Sequence, residues 1–146
     1  MIQRKQTIFL LVAFVAIMVC MCSKIATITA GMQEATLYNL WLTDGQGAHN
    51  FSAWPLMALL MVSAVTTLAT IFLYAKRLLQ AKCCLALILL LVLWYVFLAV
   101  VPQQLGGEPL WHWPAVMPAV AIVCIFFARK GIMADEKLVR SLDRIR

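Results

Sequence analysis

Charged residues are scarce in this chain, and their scarcity limits what kind of protein it can be. Only 12% of its 146 residues are Asp, Glu, Lys or Arg, against about 25% in a typical soluble domain. Hydrophobic residues make up 64%, and the mean hydropathy is +0.93. These proportions exclude a water-soluble globule and predict a membrane protein, and the length favours one domain over residues 1–146.

The chain has 6 acidic residues against 12 Lys and Arg, so it carries a net charge of +6. Nucleic-acid binding needs basic residues on one face of a folded, water-exposed domain. Here the basic residues flank long apolar runs, which is the pattern of membrane topology. We therefore expect membrane lipids as partners and no nucleic acid.

The cysteines do not form any C-x-x-C pair, and their number is odd, which argues against a disulfide framework or a zinc site. Cys20 and Cys22 would point about 200° apart on a helix, which argues against a thiol oxidoreductase. We expect all five to pack as small hydrophobic side chains. They are Cys20, Cys22, Cys83, Cys84 and Cys124.

Four apolar runs cover residues 7–28, 54–75, 83–101 and 110–128. Each has about the 20 residues that a helix needs to cross a hydrocarbon layer about 30 Å thick. Lipid offers the backbone no hydrogen-bond partner, so each run should be helical. The first run is too long for a cleaved signal peptide and lacks a convincing A-x-A site. The sequence thus predicts an all-α membrane protein, an up-down bundle of four transmembrane helices.

The distribution of Lys and Arg predicts the direction of the four spans. Every Lys and Arg except Lys24 falls on one side of them, and positive residues stay in the cytoplasm. Both termini should therefore be cytoplasmic, with residues 29–53 and 102–109 facing outward. The outer ends also carry tryptophans, which prefer the headgroup region. These are Trp41, Trp54, Trp111 and Trp113.

The first outer loop reads TLYNLWLTDGQGAHNFSAW, in which a turn cluster at residues 44–47 separates two aromatic and apolar stretches. This pattern predicts a short β-hairpin lying over the outer ends of the helices. The alternative is an irregular loop anchored at the headgroups by Trp41 and Phe51. In the second outer loop, PQQLGGEP, we expect the third helix to end at Pro102 and a simple connector to follow.

The last segment, residues 129–146, ends in DEKLVRSLDRIR and predicts a separate amphipathic helix in the cytoplasm. Its acids lie near the start and its arginines near the end, which complements the helix dipole. Such a helix can lie on anionic headgroups or dock on a partner protein, and both alternatives remain open. The candidate interface residues are Leu138, Arg140, Leu142, Arg144 and Arg146.

Hydroxyl side chains follow one side of the second run, at Ser63, Thr66, Thr67 and Thr70. Small and hydroxyl residues let membrane helices approach closely, so we interpret this stripe as a helix seam. The alternative is the lining of a polar pathway.

Signals for catalysis or cofactor binding are weak. The interiors of the second, third and fourth runs contain no Asp, Glu, Lys, Arg or His, which argues against ion-coupled transport. The two histidines, His49 and His112, lie outside the spans or at an outer edge, where they do not suit haem ligation, and their spacing does not require a metal site. We expect no catalytic residue, no metal and no cofactor, hence not an enzyme.

Three segments together, MIQRKQTIFLLVA, LYAKRLLQAK and DEKLVRSLDRIR, give the whole chain a family resemblance. It resembles an uncharacterised family of small four-span inner-membrane proteins of Bacteroidetes, catalogued as a domain of unknown function. That resemblance implies four helices in a bacterial inner membrane and supplies no catalytic residue, substrate or cofactor. The NLW of residues 39–41 also echoes the outer-loop motif of claudin-like folds, but their paired loop cysteines are missing, which leaves an architectural analogy.

These observations favour a non-enzymatic accessory or assembly subunit of the inner membrane, acting with a protein partner or a second copy of itself. The alternative is a small oligomeric transporter or lipid-handling protein that uses the hydroxyl stripe.

Overall fold

Four long helices dominate a computed structural model of the chain, which describes residues 3–30, 33–44, 46–73 and 76–143. They are α1 (Gln3–Cys22), α2 (Trp54–Phe72), α3 (Arg77–Leu105) and α4 (Met117–Asp143). By length and composition, each is long and apolar enough to cross a membrane. α1 packs against α2 and α4, and α3 packs against the same two helices.

The surfaces of the helices that face each other carry a regular apolar seam. In α3, Leu87, Leu91, Trp94 and Leu98 recur every three or four residues and are at most 4% exposed, as a helix packed on one side requires. The opposite faces are apolar as well: Val65 and Leu89 are each 63% exposed. Exposed apolar surface of this extent is typical of a face that contacts lipid or protein.

A five-stranded antiparallel sheet lies at one end of the helices, which we call the sheet end. Its strands follow the order β4-β3-β2-β1-β5. The segment between α1 and α2 supplies four strands, and the segment between α3 and α4 supplies the fifth. They are β1 (Ala26–Ala30), β2 (Gln33–Leu37), β3 (Leu42–Asp44), β4 (His49–Asn50) and β5 (Glu108–Trp111).

The predicted hairpin in the first outer loop is confirmed and forms part of this larger sheet. β3 and β4 pair through Leu42 with Asn50 and Thr43 with His49. The chain then enters a 3-10 turn at Phe51–Ala53, where the Asn50 side chain accepts a hydrogen bond from the Ser52 N–H at 3.1 Å. α2 begins directly after this turn, with a proline in its first positions, where its missing N–H costs nothing.

The all-α prediction was wrong for the segments that follow α1 and α3, which form strands. α1 ends at Cys22, and residues placed in the first span form β1 instead. In that strand the apolar side chain of Ile28 is buried while the neighbouring Thr29 is exposed, the period-two pattern of a sheet. β2 pairs with one edge of β1 and β5 with the other. The backbone N–H and C=O groups of β1 therefore have hydrogen-bond partners without forming a helix.

The expected connector after α3 was also wrong. Pro102 does not end α3, because it lies in the last turn, and the helix ends where Gly106 takes a left-handed φ of 63°. Gly107 then permits β5 to lie against β1, since a Cβ there would come within 2.6 Å of the Ile28 Cγ2. A 3-10 turn at Trp113–Val116 follows β5, so α4 begins at Met117 and not at residue 110.

The third and fourth helices are longer than the apolar runs that predicted them. α3 begins at Arg77, six residues before Cys83. α4 continues without a break through residue 128 to Asp143, so the predicted separate tail helix is the last part of α4. The start of α1 and the end of α4 therefore lie at the same end of the molecule, opposite the sheet. We call this the terminal end.

Candidate functional site

Asn39, in the turn between β2 and β3, is a buried side chain that links the sheet to the helices. It is 1% exposed. Its Nδ2 donates to the carbonyl of Cys20 at 2.7 Å, and its Oδ1 accepts from the indole Nε1 of Trp94 at 3.2 Å. Its main-chain carbonyl accepts from the N–H of Met57 at 3.1 Å. Asn39 thus bonds to α1, α2 and α3 at once.

Tyr95 makes a second junction beside the buried Trp94 ring, 5.0 Å away between ring centroids. Its hydroxyl donates to the Ala115 carbonyl at 2.8 Å and accepts from the Ala119 N–H at 3.0 Å. Ala115 and Ala119 are four residues apart, so the hydroxyl bridges a pair that a regular helix would join directly. Tyr95 therefore sets where α4 begins.

The two histidines lie at opposite edges of the sheet and do not meet. His112 follows β5, where its Nε2 lies 3.0 Å from the Thr27 Oγ1. His49 lies in β4, 3.3 Å from the Thr43 Oγ1. Within the described ranges, no cluster of three or more His, Cys, Asp or Glu residues could hold a metal ion.

An apolar groove of about 490 Å³ opens between α3 and the start of α4, next to β5. Small alanines form much of its wall, and Tyr95 and His112 are the polar members. Its size falls within the range of small-molecule sites, and its lining suits binding of an aliphatic group better than catalysis. The lining residues are Tyr95, Leu98, Ala99, Trp111, His112, Ala115, Val116 and Ala119.

Buried polar side chains join the helices at the terminal end. The Nε2 of Gln6 in α1 donates to the Oδ2 of Asp135 in α4 at 2.5 Å, and both residues are at most 9% exposed. Gly131 leaves room for this contact, because a Cβ there would lie 3.1 Å from the Gln6 Cγ. Between α2 and α3, the Nε2 of Gln80 donates to the Thr70 carbonyl at 3.1 Å. Sequence reasoning missed these two contacts because each one joins side chains or carbonyls of different helices.

The hydroxyl stripe of α2 faces mostly inward. Ser63, Thr67 and Thr70 are at most 1% exposed, while Thr66 is half-buried. Each Oγ donates to the carbonyl four residues earlier at 2.7 Å. The hydroxyls therefore bond within their own helix.

The predicted tail interface is only partly covered by the structure. Leu138 is 56% exposed on α4, and the α4 backbone includes Arg140 and Leu142. Arg144 and Arg146 lie outside the described residues. Sequence reasoning missed a second set of α4 residues nearer the sheet end, which line a groove of about 410 Å³. They are Phe126, Arg129, Lys130, Met133, Ala134 and Lys137.

Comparison with known families gives a match. A family model described as a domain of unknown function, DUF4293, matches residues 2–145. The chain belongs to this family. The match spans nearly the whole sequence, so the resemblance to a family of unknown function is confirmed. No curated protein matches the chain.

Proposed function

We propose that this member of the DUF4293 family is an integral protein of a bacterial inner membrane. Both termini lie in the cytoplasm and the sheet faces the periplasm. Two features support this placement: the four long apolar helices, and the position of nearly all Lys and Arg at the terminal end. Trp54 and Trp113, which are 61% and 66% exposed, mark the outer boundary where tryptophans gather.

Within that membrane we propose a non-enzymatic role as an accessory or assembly subunit. The observation that carries this proposal is the attachment of the sheet: Asn39 bonds to three helices and holds five strands over them. A sheet fixed in this way is a platform that presents its edges to another protein. β5 forms one such edge, and Leu110 in it is 67% exposed, so an added strand or loop would find both backbone and apolar contacts.

The end of α4 is the second proposed contact surface. It comprises Leu138, Arg140 and Leu142, together with Arg144 and Arg146, which follow in the sequence. We propose that they meet either the inner leaflet or a cytosolic partner. Replacing the three arginines by Gln should weaken association with anionic liposomes if lipid is the target. Loss of a protein partner with unchanged liposome binding would identify a protein target.

Site-specific photo-crosslinking in living cells tests the accessory role. A photoreactive residue at position 110 should give a stoichiometric adduct with one foreign protein. The same residue at Leu89, which is 63% exposed in the middle of α3, should label lipid only. Adducts solely between copies of this chain, together with a continuous polar cavity in the purified oligomer, would contradict the accessory role and favour transport.

The apolar groove beside Tyr95 and His112 favours a second candidate function, lipid handling. The hydroxyl stripe of α2 supports it less, because those hydroxyls already bond to their own helix, and we assign the stripe to a helix seam. A bulky side chain in the groove, Ala99→Trp, should abolish retention of a fluorescent acyl lipid if lipid handling is correct. Ala86→Trp, on an exposed position of the same helix, is the control.

A further inference from the structure

Two grooves meet on α4 near the terminal end. The larger, of about 410 Å³, runs along α4 past Phe126, Arg129 and Lys130. The smaller, of about 180 Å³, lies between the start of α3 and α4 and is lined by Arg77 among others. Met133 and Lys137 line both, so the two grooves are adjacent, and we call them together the basic groove.

The charge of the basic groove is strongly positive, and its floor is apolar. Arg129, Lys130 and Lys137 line the larger part, and Lys137 follows Lys130 by seven residues, two turns further along the same face of α4. The smaller part adds Arg77 and one acid, Glu136, and Glu136 has an interaction of its own. The cations thus exceed the acids around a cleft that also offers apolar contacts.

The position of Arg129 favours an anionic partner. Asp135 bonds to Gln6 near the start of α1, and Arg129 precedes Asp135 by six residues, about 9 Å towards the sheet end. A cation at that depth lies at the border of the hydrocarbon, where charged side chains seek an anion. The Arg129 Nε is buried and has no hydrogen-bond partner among the described residues.

We propose that the basic groove binds one anionic glycerophospholipid from the leaflet that borders the terminal end. Its phosphate contacts Arg129, Lys130 and Lys137, and an acyl chain lies along Phe126 towards the sheet end. Basic pockets between membrane helices on the cytoplasmic side have the chemistry that such head groups require. This inference rests on the membrane placement proposed above and is independent of the accessory role.

Binding of phosphatidylglycerol to the purified full-length protein in neutral detergent tests the site, with phosphatidylcholine as the uncharged comparison and native mass spectrometry as the readout. Each cation near a membrane surface is worth roughly fivefold in affinity for an anionic lipid. The triple variant Arg129→Gln, Lys130→Gln, Lys137→Gln should therefore bind phosphatidylglycerol at least about tenfold more weakly. The matched variant Lys5→Gln, Lys76→Gln, Lys82→Gln removes the same charge from exposed positions and should stay within about twofold of the wild type.

A steric variant keeps the proposal testable if the triple variant fails to fold. Ala134→Trp fills the larger part of the groove without changing any charge and should reduce bound phosphatidylglycerol at least fivefold. Ala69→Trp, at an exposed position near the same end of α2, should leave it unchanged.

Four results would overturn the proposal. They are equal losses in the two triple variants, no preference for phosphatidylglycerol over phosphatidylcholine, unchanged binding in Ala134→Trp, and equally tight binding of free glycerophosphate. The last result would identify a soluble phosphate ligand. A protein that stays dissolved without detergent would refute the membrane placement itself, which separates that failure from failure of the site.

Discussion

The carboxamide of Asn39 lies between two helices, 2.7 Å from the Cys20 carbonyl and 3.2 Å from the Trp94 Nε1. Both of its polar ends are used, and the residue is 1% exposed. A buried polar group that loses its partner costs about 1–3 kcal/mol. This amide therefore contributes to the attachment of the sheet, beside the burial of Ile28, Leu37 and Leu42 in the common apolar core.

Asn39→Ala should lower the free energy of unfolding by about 1–3 kcal/mol, because it leaves the buried Trp94 N–H without its acceptor. Within the described part of the chain, the Cys20 carbonyl would keep only the Ser23 N–H, at 3.4 Å. Unfolding in mixed micelles, followed by circular dichroism, measures the change. Asn50→Ala, which removes only the exposed cap of a 3-10 turn, should cost about 1 kcal/mol or less. Equal effects of the two substitutions would show that Asn39 does not hold the sheet.

Tyr95→Phe should loosen the start of α4 without disturbing the rest of the fold, because the hydroxyl bridges the Ala115 carbonyl and the Ala119 N–H. We expect a loss of about 1–2 kcal/mol and faster amide hydrogen exchange at Ala119. Tyr38→Phe, which keeps the ring contact with Trp41, is the control. Unchanged exchange at Ala119 would refute the bridging role.

Gly107→Ala should weaken the pairing of β5 with β1. The added Cβ would lie 2.6 Å from the Ile28 Cγ2 and 2.9 Å from the Thr29 carbonyl oxygen, and overpacking of this kind costs about 1–3 kcal/mol. Gly47→Ala meets no neighbour within 4 Å, although its φ of 80° adds strain, so it is a control for backbone strain alone. Hydrogen exchange of the β5 amides should rise only in Gly107→Ala.

Gln6 and Asp135 should show strong coupling in a double-mutant cycle. Gln6→Leu leaves the buried Asp135 carboxyl without its side-chain donor, which should cost about 1–3 kcal/mol. The double variant Gln6→Leu, Asp135→Leu removes both polar groups and should be less destabilised than the sum of the single variants. Additive losses would mean that the contact contributes nothing to the packing of α1 on α4.

The positions of the helices were predictable from the sequence because hydrophobic length is a local property. Hydrophobic length gave the wrong prediction for residues 23–28, because the first apolar run continues past the end of α1. What makes Ile28 part of a strand is its pairing with Ala35 in the next strand and with Pro109, which is distant in sequence. The hairpin of β3 and β4 could be foreseen, because its turn residues lie between its own strands.

The sheet attachment and the terminal grooves could not be foreseen for the same reason. Nothing local to NLW distinguishes a buried Asn39 from an exposed loop residue, since its partners are Cys20 and Trp94, distant in sequence. The cations of the basic groove were counted as topology signals only. That Arg129, Lys130 and Lys137 line one groove can be seen once α4 is known to continue past residue 128.

Membrane placement with the sheet outside and the terminal end inside is the claim on which the rest depends, and cysteine accessibility in intact spheroplasts tests it most directly. In a background with all five native cysteines replaced, a single cysteine at the exposed Gln46 or at the exposed Ser141 is treated with a membrane-impermeant maleimide. We expect Gln46→Cys to react in intact spheroplasts and Ser141→Cys to react only after lysis. The reverse pattern, or recovery of the labelled protein in the soluble fraction, would contradict the account.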